Sequence, residues 1–274
     1  MSTDVQEVPV LGLRERSVPR PQPLRPIRDA LTVTARNLIG YTRVPQLVVF
    51  STIQPVIFVL MFRYVFGGAI KVPGFSYVDF LMPGIFVQTT IFGSLGTAVG
   101  LATDLKSGLL ERFRSLPMAR SAVLAGRTTA DLARNVFVVA LMVAVGFAVG
   151  FHLHTNPLAL LAGVGLVVAF GYTMSWVFAT VGLAVGDPET AQAAAFPVLA
   201  PLVFASSAFV PVTSMPGWLQ AFAVHQPVSV TASAVRALML GGPTTSLVLQ
   251  SLAWCAGILL VFAPLSVRLY RKAV

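Results

Sequence analysis

The feature that most constrains this chain is the spacing of its charges. Runs without Asp, Glu, Lys or Arg cover 19 residues between Arg43 and Arg63, and 24 between Asp79 and Asp104. They cover 52 between Arg134 and Asp187, 46 between Glu189 and Arg236, and 31 between Arg236 and Arg268. A helix needs roughly 20 mostly apolar residues to cross a bilayer. The 52-residue run therefore holds two such helices, with a hairpin at residues 152–157. Composition agrees: 56% of the 274 residues are hydrophobic and 11% charged, against about 25% charged in ordinary soluble domains. The predicted fold class is an all-α polytopic membrane protein.

Six spans are expected near 46–66, 80–101, 132–151, 158–184, 191–212 and 246–267. They form one transmembrane domain over 25–274, after a disordered cytoplasmic tail at 1–24. The 19 basic residues are unevenly placed. Seven, from Arg14 to Arg43, precede the first span, and six, from Lys106 to Arg134, surround the second connection. Arg268, Arg271 and Lys272 follow the last span. Basic residues mark cytoplasmic loops, so both termini and the 102–131 loop are expected in the cytoplasm. The net charge of +9 is then topogenic, and nucleic acid is not an expected partner. The first apolar run follows some forty polar residues, which does not read as a signal peptide.

Residues 213–245 are apolar enough to suggest a seventh span. Pro216-Gly217, Pro227, Arg236 and Gly241-Gly242-Pro243 interrupt them, and a seventh span would put the last three basic residues outside. Two short re-entrant helices are expected instead, packed against protein or a wet cavity. Before the first span, Ile27, Leu31, Leu38 and Tyr41 repeat at helical spacing beside Arg25, Arg28, Arg36 and Arg43. That pattern suits an amphipathic helix lying on membrane lipids. In the 102–120 loop, Leu105, Leu109, Phe113 and Leu116 form a stripe flanked by Lys106, Glu111, Arg112 and Arg114, and Pro117 ends it. It reads either as a surface helix on lipid or as a docking helix for a soluble partner.

Catalytic chemistry is hard to find. All ten carboxylates fall in expected loops or span ends, and Asp131 reads as a helical ion pair with Arg127 or Arg134 at a span entrance. A proton- or sodium-coupled carrier normally needs an ionisable group inside the membrane. His152 and His154 lie two apart with no third metal ligand nearby. The single thiol, Cys255, excludes an intrachain disulfide and thiolate clusters built from this chain. A Walker A loop needs Gly-Lys-Ser/Thr, yet Ile70, Leu105 and Arg271 precede the three lysines. No catalytic, cofactor-binding or metal-ligating residue is expected, and ATP-driven work would need an ATPase on another chain.

Polar and bent positions inside the spans remain. Gln54-Pro55 sits mid-way in the first, with Phe58 and Phe62 one turn apart below it; Gln88, Thr89 and Thr90 lie in the second. The fifth carries Pro197, Pro201, Phe204, Ser206, Ser207, Phe209 and Pro211. Such positions suit helices lining a path, and equally suit kinked helices packed together. Glycines four apart at 96/100, 146/150 and 182/186 permit close helix contact.

Taken in order, four features resemble the ABC-2 type permeases, most closely their daunorubicin-resistance-like branch. They are the basic amphipathic segment before six spans, the Asp104–Arg120 loop DLKSGLLERFRSLPMAR, the proline-punctuated fifth span from Phe196-Pro197 to Pro211, and Met215-Pro216-Gly217-Trp218-Leu219 leading to His225-Gln226-Pro227 and Arg236. The resemblance implies an exporter of two permeases, identical or paired with a sister chain, and two ABC ATPase subunits that bind ATP and Mg. Leu105, Leu109, Glu111, Arg112, Phe113 and Arg114 would couple to the ATPase. Gln54, Phe58, Gln88, Thr89, Phe204, Ser207 and Phe209 would line the path. Trp218, His225, Pro227 and Arg236 would belong to the outer gate and re-entrant pair. The implied cargo is a hydrophobic or amphipathic drug, antibiotic or lipid-like molecule. Dedicated lipid or glycan export, a secondary carrier and a cargo-free scaffold are the alternatives.

Overall fold

The computed structural model describes residues 31–35, 37, 39, 45–70, 72, 74–109 and 120–273. The expected tail at 1–24 lies outside these residues, as do Glu111, Arg112, Phe113 and Arg114. The described residues form helices joined by turns, with no strand among them. In chain order they are α1 (Pro45–Met61), continued by a π-helical turn (Phe62–Phe66), α2 (Tyr77–Lys106), α3 (Arg120–Val149), α4 (Pro157–Val185) and α5 (Pro188–Phe204). A 3-10 turn (Val212–Ser214) leads into α6 (Gly217–His225), α7 (Pro227–Leu240) and α8 (Thr244–Ala273). Helices α2, α3, α4 and α8 are long and apolar enough to cross a membrane.

Each helix starts and stops where its sequence requires. Ser76 caps α2 by accepting the Asp79 amide at 3.2 Å. Asn156 caps α4 through the Ala159 amide at 2.7 Å, and Asp187 caps α5 through Thr190 at 3.1 Å. A proline follows each of the last two caps, at the first helical position where no amide is needed. Helices α3 and α4 end on Gly150 and Gly186, whose positive φ values of 98° and 75° favour glycine.

Helix α2 is the axis of the bundle. Residues 81–91 are all buried, and α2 packs most extensively on α4, then on α5, α3 and α7. Small residues make the α2–α4 seam. Ser94 Oγ donates to the Gly171 carbonyl at 3.1 Å, and a Cβ at Gly182 would run into the Ala98 carbonyl. Close backbone approach of this kind holds apolar helices together where lipid offers no hydrophobic gain.

Two sequence expectations change. Helix α3 begins at Arg120 rather than 132, which places Asp131 within a helix and fully buried. Its carboxylate accepts from Thr97 Oγ1 of α2 at 2.6 Å, closer than the 3.9 Å to Arg127 Nε. It is therefore an interhelical anchor as well as a local ion pair. The fifth helix stops at Phe204 instead of running to 212, because Pro197 and Pro201 weaken its hydrogen bonding. Before α1, residues 31–35 are helical, with Leu31 exposed, Val33 buried and Thr34 Oγ1 donating to the Gly126 carbonyl of α3 at 3.1 Å.

Candidate functional site

The break after α5 organises one end of the bundle. When the helix stops at Phe204, the carbonyls around it lose their helical donors, and burial forbids leaving them bare. Side chains from three other segments replace those donors. Gln226 Nε2 donates to the Leu202 and Ala205 carbonyls, both at 3.0 Å. Tyr77 Oη donates to the Phe209 carbonyl at 3.0 Å. Arg236 of α7 donates to Ser207 Oγ at 3.1 Å, to the Ala208 carbonyl at 3.2 Å and to the Ser207 carbonyl. Its Nε reaches the Phe80 carbonyl at 2.8 Å. A Cβ at Gly84 would strike the Ala208 carbonyl, so glycine is what lets the broken segment lie directly on α2.

This arrangement brings Ser207, Pro227 and Arg236 together. Pro227 opens α7 at its first position, directly after Gln226. The Ser207 amide donates to Ser229 Oγ at 2.9 Å, which ties the break to the same helix. Arg236 also borders a groove of about 330 Å³ with Phe75, Phe80, Pro211 and Thr213.

Beside the break, an aromatic stack joins α1 to the end of α5. Phe62 and Phe209 lie 4.5 Å apart between centroids with planes 8° apart. Phe58 stacks on both at about 6 Å, at 6.1 and 6.0 Å, and Phe204 reaches Phe209 at 5.9 Å. Phe66 adds the other edge, 5.2 Å from Phe62. The predicted trio Phe58, Phe204 and Phe209 is thus one cluster. Phe62 and Phe66 complete it. Their four-residue spacing after Phe58 was the available signal, and the π-helical turn decides how they face.

A second polar locus lies halfway along the helices. Gln54, Gln88 and Thr89 share a cavity of about 70 Å³ with Phe92, Arg134 and Asn135. Gln54 is exposed on α1, whereas Gln88 and Asn135 are 1% and 3% exposed. Thr89 spends its hydroxyl on the Ile85 carbonyl at 2.7 Å. Arg134 and Asn135 join it although neither is among the expected path residues, because α3 extends back to Arg120 and sets both halfway along the helix.

The remaining expected residues sit apart from these two loci. Trp218 on α6 is 77% exposed. His225 is also exposed, its Nδ1 3.0 Å from the Ala221 carbonyl. Leu105 and Leu109 are partly buried at the far end of α2, with Leu105 on a cluster that includes Leu101, Leu124 and Trp176. There Lys106 Nζ meets Asp187 Oδ1 at 2.7 Å. The bonds from Lys106 and from Thr190 hold the Asp187 carboxyl down to about 2. Among the described residues no three His, Cys, Asp or Glu side chains gather as a metal site.

Comparison with known proteins identifies the family of this chain. The sequence model of the ABC-2 type transporter family matches residues 28–240. The chain is 36% identical over 253 residues to the daunorubicin resistance ABC transporter permease protein DrrB1 of Streptomyces coeruleorubidus, covering 92% of this chain and 89% of that one. It is 30% identical over 249 residues to the probable doxorubicin resistance ABC transporter permease protein DrrC of Mycobacterium tuberculosis, covering 90% of each. The putative transport permease ycf38 of Porphyra purpurea is 26% identical, over 77% of this chain and 73% of the relative. With its bundle of long apolar helices and these matches over most of its length, the chain is a membrane protein that belongs to the ABC-2 type transporter family.

Proposed function

We propose that the chain is the permease subunit of an ATP-driven exporter that carries a hydrophobic or amphipathic compound out of the cytoplasm or the inner leaflet. The observation that supports this most is the match at 36% identity, nearly end to end, to a daunorubicin resistance permease. An ABC permease works with an ABC ATPase. Here that partner is a separate chain holding ATP and Mg, since none of the three lysines stands in a Gly-Lys-Ser/Thr sequence. The cargo class follows the names of the relatives: an anthracycline-like drug, an antibiotic or a lipid-like molecule.

In this reading the protein crosses the plasma membrane six times, by α1, α2, α3, α4, α5 and α8, as one domain over 25–274 with both termini in the cytoplasm. Helices α6 and α7 form the re-entrant pair. Two permeases, identical or homologous, pair within the lipid. The 105–117 segment carries the thrust of ATP-driven closure, with Leu109 and Phe113 as apolar anchors and Glu111, Arg112 and Arg114 as polar contacts. The aromatic stack and the Arg236 locus lie at the outer gate, and an apolar lining holds cargo by area-dependent burial.

The test is an affinity pull-down of the tagged chain from its native membrane in mild detergent. A stoichiometric ABC ATPase is expected, and transport should require ATP. Glu111→Lys and Phe113→Asp should each abolish that association and transport in correctly inserted protein. An intact, monodisperse chain without any ATPase sinks the proposal.

A further inference from the structure

A groove of about 540 Å³ opens on the flank of α8, walled by Val224 and His225 of α6, Val230 of α7, and Gln250, Ala253 and Trp254 of α8. The fold of α6 and α7 makes it. Gln226 turns the chain between them and is fixed to the Leu202 and Ala205 carbonyls, which holds the neighbouring His225, the last residue of α6, in place. Helix α7 then returns along α8, with Thr231 Oγ1 2.8 Å from Ser251 Oγ. Trp254 is the eleventh of 30 residues in α8, about 15 Å from its start at 1.5 Å per residue. Gln250 stands one turn earlier on the same face.

Three polar side chains of these walls are unspent. His225, Gln250 and Trp254 are all exposed. His225 Nδ1 lies 3.0 Å from the Ala221 carbonyl, so it carries the hydrogen of the neutral ring and leaves Nε2 as an acceptor. The Trp254 indole N–H and the Gln250 amide make no hydrogen bond within the described residues. Helix α8 is the least buried of the four long apolar helices, so in a bilayer this flank faces lipid. Lipid tails supply no hydrogen bonds, and a polar group turned toward them calls for a partner.

The walls say what that partner is. None of the six residues is Asp, Glu, Lys or Arg, so no fixed charge asks for an ionic ligand. An acceptor, a donor and an amide that does both match a hydroxyl, which donates to one group and accepts from another. The volume falls within the roughly 300–1,000 Å³ of small-molecule sites. Helix α6 contributes only Val224 and His225, which makes the groove short, fit for a small molecule rather than for the length of a spanning helix. Exposed Leu249, one turn before Ala253, and exposed Val224 add apolar surface beside the polar groups.

We propose that this groove binds a neutral amphipathic molecule through its hydroxyl group, taken sideways from the bilayer. His225 Nε2 accepts from the hydroxyl, Trp254 Nε1 donates to its oxygen, and the Gln250 amide engages a second oxygen or the same one. The apolar body lies against Val224, Val230 and Leu249. The inference rests on the permease reading only in placing α8 in a bilayer; binding itself needs no ATPase.

The test uses the full chain in lipid nanodiscs with a photoreactive probe, a hexadecanol carrying a diazirine on its chain, and with the methyl ether of that alcohol. Mass spectrometry maps the labelled residues. The alcohol should label 222–230 and 249–254 saturably, at a concentration at least tenfold lower than the ether needs. Gln250→Leu, Trp254→Phe and His225→Leu should each weaken the alcohol several-fold, and the first two together should erase its preference over the ether. These positions are exposed, so the variants keep the helices packed, and labelling elsewhere on the chain should not change. Equal labelling by alcohol and ether, or labelling untouched by the variants, overturns the proposal. Label that reaches these segments in nanodiscs but is excluded from them in native membranes assigns the groove to a partner helix and overturns it too. A neutral glycerolipid that copurifies with the wild type and is lost from the double variant identifies a membrane lipid as the occupant. Saturable labelling without a copurifying lipid identifies a molecule that exchanges with the bilayer, as cargo must. A chain that binds the alcohol in this way yet copurifies with no ATPase keeps the groove and loses the exporter.

Discussion

The Arg236 guanidinium lies 3.8 Å from the centre of the Phe80 ring while its Nε donates to the carbonyl of the same residue at 2.8 Å. One side chain of α7 thereby grips α2 and the broken end of α5 together. The cation is held by a ring face and by carbonyl dipoles, both of which attract positive charge. Its role in the structure is to supply donors to the carbonyls of the segment that leaves the end of α5.

Arg236→Leu should therefore destabilise the protein by on the order of 1–3 kcal/mol for each carbonyl orphaned. Arg236→Lys should recover only part of the loss, because an ammonium cannot span the ring and the divergent carbonyls at once. Thermal unfolding of the detergent-solubilised protein reads both. Equal stability of the Lys variant and wild type would show that charge alone matters.

The stacked rings of Phe62 and Phe209 should be energetically coupled. A double-mutant cycle built from Phe62→Leu and Phe209→Leu is expected to return about 0.5–1.5 kcal/mol beyond the separate losses. Additive losses would mean that α1 and the end of α5 touch without depending on each other.

Asp131 links α3 to Thr97 of α2 and lies 3.9 Å from Arg127, whose Nη1 is itself 3.3 Å from Asp104. Asp131→Ala removes one member of a buried ionic network and should cost about 3–5 kcal/mol. Thr97→Val removes one hydrogen bond and should cost about 1 kcal/mol. The order of the two unfolding temperatures, and of the protein levels in the membrane, tests this. A reversed order would place the weight on the hydroxyl.

The Asp187 carboxyl titrates near 2 in the folded protein, below its ordinary value of 3.8. A depressed folded value contributes stability that is complete above the unfolded value and is lost as pH falls through the folded one. The difference in unfolding temperature between wild type and Asp187→Asn should be constant above about pH 5 and close as pH approaches 2. The pair is at the surface, so added salt should shrink the difference. A gap that persists at pH 2 would exclude the ionised carboxylate as its source.

The sequence by itself determined that the chain is helical and apolar, and where most helices stop. Charge-free runs of 19 to 52 residues are a one-dimensional signal, as are the prolines at 188 and 227 and the glycines at 150 and 186. None of them needs a neighbour to act. The break after Phe204 was half legible: Pro197 and Pro201 announced a bent helix, but not where it would end. That depended on whether Gln226, Arg236 and Tyr77 could reach the freed carbonyls, and those residues are 21 to 132 positions away. The polar residues tell the same story. Gln88 and Thr89 stood out along the chain, yet Arg134 and Asn135 resembled a loop margin until α3 proved to begin at Arg120. Only the packing of α3 against the glycine face of α2 put a guanidinium and two buried amide side chains around one cavity. Helix formation is a local property of the backbone, whereas which side chains share a space is fixed by how the helices cross.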